Sequence, residues 1–393
     1  TKIVFNKDAN HHYQDLETYL RTHHTGINND AIQYDGRQHN WSHHAKKWFS
    51  TTTKTPKSVD IKPIQGNTSL SEMRQIIDVK KEPFGKGSRK EARKRLKTFK
   101  TRISKYMKHI SSPAKAEKIT SHLSPYIRYG VISIREVYQE IGKGFNENAF
   151  KSRLVWQQHF RQKREDNPKL FEEAINPIYK DLHIDKKDEE KIRRWKQGQT
   201  GYPLVDATMR ALKQTGWMNF RMRAMAASFY SYILKQWWKT GADHYFKHLI
   251  DADVAINYYQ WQMQSGLVGV HANRIYNPTK QVHENDPDGE YIKKYVPELK
   301  DVPKEHIAEP WKLSKEQQKK YDVEIGKDYP EPIVNYEREA RKARAYFKRK
   351  APEAYQAFED DEVWNRASLS DRHSRKALIE KGEGKQHSLE KFT

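Results

Sequence analysis

Apolar residues are spread unevenly along the chain of 393 residues. They thicken between residues 125 and 280, and the spacing from 88 to 280 is mostly that of amphipathic helices. Glycines 142, 144, 198, 201, 216, 241, 266 and 269 punctuate those helices. The densest stretch runs from Gly216 to Pro278, rich in Met, Ala, Phe, Tyr and Trp. Within it stand Arg221, Arg223, Asp251, Asp253 and the lone amide Asn257. Fixed charges in a buried helix are costly unless they are paired or bound to a polar ligand. This pattern predicts a core that grips something polar.

The flanks read differently. Residues 1–83 are polar and His-rich, with no βαβ alternation and no Gly-rich turn after a strand. From Lys90 to Lys108 nine residues are Lys or Arg, while Leu96, Phe99, Ile103 and Tyr106 recur at helical spacing. That predicts a helix docked by one apolar stripe, with a cationic outer face. Residues 279–330 read as Pro-rich loop with short helical turns, and YEREARKARAYFKRK as a basic helix. The last twenty residues read as frayed. The expected division is therefore a divergent N-terminal segment (1–83), a helical domain (84–330) and a basic helical extension (331–393).

Charge and composition narrow the function. The 73 basic residues exceed the 51 acidic ones by 22, a field that draws polyanions, nucleic acid first among them. No cysteine is present, which excludes disulfides, thiolate zinc sites and Cys-ligated iron–sulfur clusters. The doublets His11-His12, His23-His24 and His43-His44 lie in polar surroundings, and adjacent side chains do not face one metal, so no metal site is expected. No apolar run is long enough to span a bilayer, and the first residues lack the order of a signal peptide. A soluble, cytoplasmic monomer is the expectation.

Individual motifs leave alternatives open. Thr120-Ser121-His122-Leu123-Ser124-Pro125 suits either a phosphate at a helix start or an ordinary Ser124 N-cap. GQTGYPLVDATMRAL (198–212) reads as a turn into a well-capped core helix. Asp251 and Asp253 repel each other unless neutralised, and Arg223 is the expected partner of Asp251. Trp238 and Trp261, taken alone, are core packing as readily as an electron path.

Taken together and in order, TSHLSP, YIRYGVISIREV, LVWQQHFRQK, GQTGYPLVDATMRAL, NFRMRAM, DADVAIN, QMQSG and RIYNP resemble the flavin-binding domain of the photolyase/cryptochrome family over residues 84–330. The resemblance implies a mostly α fold: a helical FAD-binding domain, without the N-terminal Rossmann-like antenna domain. It implies that Thr120, Ser121, Leu123 and Ser124 cradle the FAD pyrophosphate. Arg223 and Asp251 would sit beside the isoalloxazine ring, Asp253 would accept from the flavin or ribose, and Asn257 would face flavin N5. Tyr106, Phe150, Arg153, Gln157 and Asn219 complete the implied cofactor set. Trp261 and Trp238 occupy the family's inner relay positions. The outer one falls near Asp185, with Tyr179, Trp195 or Trp237 as substitutes.

Substrate contacts depart from the family pattern. Trp156 matches a dimer-facing Trp, but Arg153 stands where pyrimidine-dimer photolyases carry a Glu, and Met263 replaces a second Trp. Asn219-Phe220-Arg221 stands in place of His-Asn-Arg, with Arg221 a further candidate contact. The implied activity is light-driven repair of cyclobutane pyrimidine dimers, in single-stranded DNA or flipped from a duplex, by electron transfer from excited reduced FAD. A cryptochrome-type blue-light receptor without repair is the first alternative. A helical nucleic-acid-binding protein with a vestigial pocket is the second.

Overall fold

The computed structural model describes residues 4–6, 25–27, 41–53, 85–167, 169, 172–270, 272–367 and 374–383. Near the N-terminus, β1 (Val4–Asn6) and β2 (Thr25–Ile27) pair in parallel, where the sequence offered no strand signal. Three residues are too few to display a period of two. Helix α1 (Trp41–Ser50) follows. The rest of residues 1–83 lies outside the described residues.

The described remainder is helical. The basic stripe forms α2 (Arg89–Lys100), capped by the Ser88 hydroxyl accepting from Glu91 N. It is not one helix through Lys108. A 3₁₀ turn (Ile103–Lys105) intervenes before α3 (Tyr106–His109). The apolar stripe survives the break, since Leu96, Phe99, Ile103 and Tyr106 are all buried. They form one core with Phe49 of α1 and with Leu123, Val137, Phe150 and Leu154. Beyond α4 (Pro113–Ile119), their carriers are the TSHLSP turn, which leads into α5 (Ser124–Arg128), then α6 (Ile134–Glu140) and the long α7 (Phe145–Asp166).

A larger core is built from α8 (Glu189–Gln197), α9 (Pro203–Thr215), α10 (Phe220–Ser228), α11 (Trp238–His248) and α12 (Val254–Gln264). Helix α10 runs on into a π-helical turn, Phe229–Ile233. The Pro-rich segment supplies α13 (Pro278–Asn285), α14 (Glu290–Tyr295) and α15 (Lys315–Lys320). The basic helix α16 (Tyr336–Gln356) packs into this core through Tyr336, Ala340, Ala343 and Phe347. Two helices follow, α17 (Asp361–Ala367) and α18 (Arg375–Gly382). The expected fraying thus does not hold for residues 374–383, where the Ser374 hydroxyl caps α18; residues 384–393 lie outside the described ones. Among the described residues no helix is long and apolar enough to cross a membrane.

The GQTGYP turn is structural. Asp206, fully buried, accepts from Thr200 N at 2.7 Å, Thr200 Oγ1 at 2.6 Å, Gly201 N at 3.0 Å and Tyr329 Oη at 2.6 Å. Gly201 has φ +80°, and a Cβ there would lie 2.5 Å from the Glu331 backbone. Replacing Asp206 by Ala strands four buried donors around one site. We expect a loss of about 3 kcal/mol, read as a lower urea midpoint; an unchanged midpoint would remove Asp206 from this role.

Candidate flavin site

Asp251 and Asp253 are the start of the site, because they lead into α12 two residues apart. The Arg223 guanidinium, from α10, meets Asp251 with Nη2 at 3.1 and 3.0 Å from its two oxygens and donates Nε to Met218 O at 3.0 Å. The expected partnership is present. Asp253 Oδ1 caps α12 by accepting from Ile256 N at 3.3 Å. Its Oδ2 accepts from Arg161 Nε at 3.3 Å and Nη2 at 3.2 Å, and Arg128 Nε lies 3.7 Å away. All three side chains of this triad are 6–8% exposed. Arg128 also donates Nε to Ala252 O at 2.8 Å. These two arginines were not singled out from sequence. Both lie inside the quoted motifs YIRYG and HFRQK, but nothing in their spacing links them to Asp253.

Asn257 is buried one turn into α12. Its Nδ2 donates to Ala242 O at 2.9 Å. That bond fixes the amide, since a flip would set two carbonyl oxygens against each other. Among the described residues Oδ1 accepts no hydrogen bond. The amide is therefore oriented as an acceptor, rather than free to flip as the sequence alone allows.

Trp261 follows one turn later and is buried against Gly241, where a Cβ would lie 2.3 Å from its ring. Among the described residues its Nε1 has no hydrogen-bond partner. Ring centroids of Tyr245, Tyr230 and Trp195 lie 4.9, 5.8 and 6.0 Å from it. Trp238 meets Tyr258 instead, at 6.2 Å. Of the three substitutes for an outer relay residue, Tyr179 and Trp195 are buried and only Trp237 is partly exposed. Asp185 lines a cavity of about 470 Å³ with Lys186, Lys235, Gln236 and Arg338.

The TSHLSP turn differs from the N-cap expectation. Leu123, not Ser124, is the N-cap of α5, with no side-chain cap bond; Ser124 is already helical. Ser121 Oγ accepts from Leu123 N at 3.3 Å, and Thr120 Oγ1 donates to Ala116 O at 2.7 Å. His122 has φ +50° and its ring lies 4.5 Å from that of Trp217. Arg102 donates Nη2 to Thr120 O at 3.0 Å, while among the described residues its buried Nε has no hydrogen-bond partner. An uncapped helix start beside a half-exposed arginine suits an anion. The residues present fit FAD on three counts: this turn, the open acceptor of Asn257 and the neutralised carboxylates.

The other expected residues are placed as follows. Tyr106 packs edge-on to Phe150 at 5.6 Å; burial pushes its hydroxyl up to about 12, against the pull of the neighbouring Arg153. Arg153 is exposed, and Gln157 half-buried, on α7. Asn219 caps α10 by accepting from Met222 N at 3.2 Å and donates Nδ2 to Ile110 O and Ser111 O at 3.0 and 3.2 Å. Its polar atoms are thus engaged within the protein. Arg221 lies over the Tyr276 ring at 5.8 Å. Trp156 and Met263 pack against one buried cluster, which also holds Phe160, Tyr259, Phe358 and Val363. The C-terminal helices therefore reach the side that carries both expected dimer walls, and Tyr259 Oη donates to Arg366 O at 2.8 Å.

Comparison with known proteins places the chain in a family. Residues 150–349 match the family model described as the FAD binding domain of DNA photolyase. The deoxyribodipyrimidine photo-lyase of Alkalihalophilus pseudofirmus is 37% identical over 262 residues, covering 65% of this chain and 54% of that protein. Cryptochrome DASH of Synechocystis is 37% identical over 227 residues, covering 55% and 46%. A bacterial class III photolyase from Agrobacterium tumefaciens superposes with a TM-score of 0.77 at 25% identity, over 88% of this chain and 80% of that one. The chain belongs to the photolyase/cryptochrome family and carries its helical FAD-binding domain. It spans about half the length of the curated relatives it matches.

His159, one turn from Trp156 on α7, gives the site a pH dependence. Burial, then the Lys163 charge, lowers its pKa to about 3. The unfolded chain takes up that proton near the ordinary histidine value and the folded one does not. Stability is therefore full above that value and falls as pH drops from about 6.5 toward 3. His159→Gln should flatten this slope in pH-resolved melts; an identical slope would place the acid sensitivity elsewhere.

Proposed function

We propose that the protein is a light-driven DNA lyase that splits cyclobutane pyrimidine dimers, taking the lesion from single-stranded DNA or flipped out of a duplex. The observation that carries this reading is Asn257: a buried amide pinned by Ala242 O, with its oxygen open, between two ion-paired carboxylates and Trp261. When bound, reduced FAD supplies the light-driven electron that opens the cyclobutane ring and is returned afterwards.

The protein's own part is positioning and electrostatics. Asn257 Oδ1 holds an N–H donor on the ring. The Arg223–Asp251 pair would flank that ring with a fixed dipole, and Arg128 and Arg161 give Asp253 two cationic partners. The TSHLSP turn, with Arg102 beside it, would hold the pyrophosphate. Trp156 and Met263 wall the flipped bases. Moving the lesion out of the stack costs a few kcal/mol, least where pairing is already lost. The excess of 22 positive charges supports polyanion binding. A photoreceptor without repair is the second reading. It is favoured by Arg153, which puts a cation where repair enzymes of the family carry a carboxylic acid.

The test is restoration of a dimer-containing single-stranded oligonucleotide by reduced, flavin-loaded protein in light and in dark. Light-only restoration is expected; flavin-loaded protein that binds the oligonucleotide and repairs nothing would overturn the reading in favour of the receptor. Trp261→Phe should slow photoreduction of bound flavin at least tenfold while leaving its absorbance in place. Wild-type kinetics in that variant would remove Trp261 from the electron path.

A further inference from the structure

Phe220 is the first residue of α10 and is 55% exposed, among the most exposed large apolar side chains described. The apolar core does not account for it, because its helix neighbours Met222, Ala224 and Met225 are buried without it. Its surroundings are cationic. The Asn219 amide just before it is tied to Ile110 O and Ser111 O. This tie holds the start of α10 against the loop after α3. That loop and its flanks carry Lys105, Lys108 and Lys115, all exposed, and none forms an ion pair among the described residues. They are close enough together that, after burial, all three charges lower the His109 pKa. Next to Phe220 in the chain, Arg221 lies against the Tyr276 ring and likewise has no acidic partner among the described residues.

An exposed aromatic face between cations without counter-charges suits a base and the phosphates on either side of it. Base–aromatic stacking tolerates any sequence, and unpaired lysines release counterions when they meet a phosphate. A protein partner would call for a wider apolar patch than one ring provides. We propose that Phe220 is a base-stacking contact for single-stranded DNA, with Lys105, Lys108 and Lys115 holding the adjoining phosphates. This rests on the DNA-directed reading above and adds to it a residue whose type is particular to this chain, since the family pattern has Asn there.

The test uses the full chain and an undamaged oligothymidine, in the dark, so that repair chemistry plays no part. By fluorescence anisotropy at fixed salt, Phe220→Ala should bind about tenfold more weakly. Phe220→Trp should bind as wild type and add a tryptophan emission that DNA quenches. Lys108→Gln should lower the slope of log affinity against log salt by about one phosphate contact. Unchanged affinity in Phe220→Ala together with unquenched emission in Phe220→Trp overturns the proposal. Light-dependent repair by the wild type, scored separately, would then leave the repair reading standing. Failure of the wild type to bind the oligonucleotide overturns the stacking proposal whatever its flavin content.

Discussion

The structure depends on neutralising two carboxylates that lie two residues apart at the entrance to α12. Neither Asp251 nor Asp253 is tolerable in a buried position alone. Asp251 is met by Arg223 from α10, and Asp253 by Arg128 from α5 and Arg161 from α7. Each pairing joins a different helix to the N-terminus of α12. The triad therefore ties together the smaller N-terminal core, the long helix α7 and the main core. A buried ion pair adds little net stability over an apolar contact of the same shape. What it adds here is geometry: the helices that bear the TSHLSP turn, Trp156 and Asn257 are held in one register.

Within that frame, small residues and backbone groups do the fine placement. Gly241 lets Trp261 lie directly against α11, since any larger residue would displace the indole. The Ala242 carbonyl, the next group along α11, orients the Asn257 amide. One turn of α11 thus sets both the aromatic and the amide. Trp195, from α8 just before the GQTGYP turn, enters the same aromatic cluster at 6.0 Å from Trp261. The signature segment, structural at Asp206, therefore also reaches the site through its neighbouring helix.

The C-terminal helices extend this arrangement. Phe358 and Val363 lie in the cluster against which Trp156 and Met263 pack, and Asn176 Nδ2 donates to Ala354 O at 2.8 Å. The side of α7 and α12 that carries Trp156 and Met263 is thus backed by residues far along the chain. No local pattern could have announced this, because the contact joins segments about a hundred residues apart or more.

The sequence by itself determined the helical class, the location of the core and the motif set that marks the family. It also determined the Arg223–Asp251 pairing, since helical periodicity and the cost of buried charge are local or compositional constraints. Short-range geometry was less legible. The basic stripe breaks at Thr101, and Leu123 rather than Ser124 is the N-cap of α5, because a turn's dihedral angles are set by what packs on it. Only the tertiary structure decided which arginines meet Asp253, which way the Asn257 amide faces, and which rings adjoin Trp261. Those are choices among several residues of the right type, and only the packing of helices distant in sequence selects one.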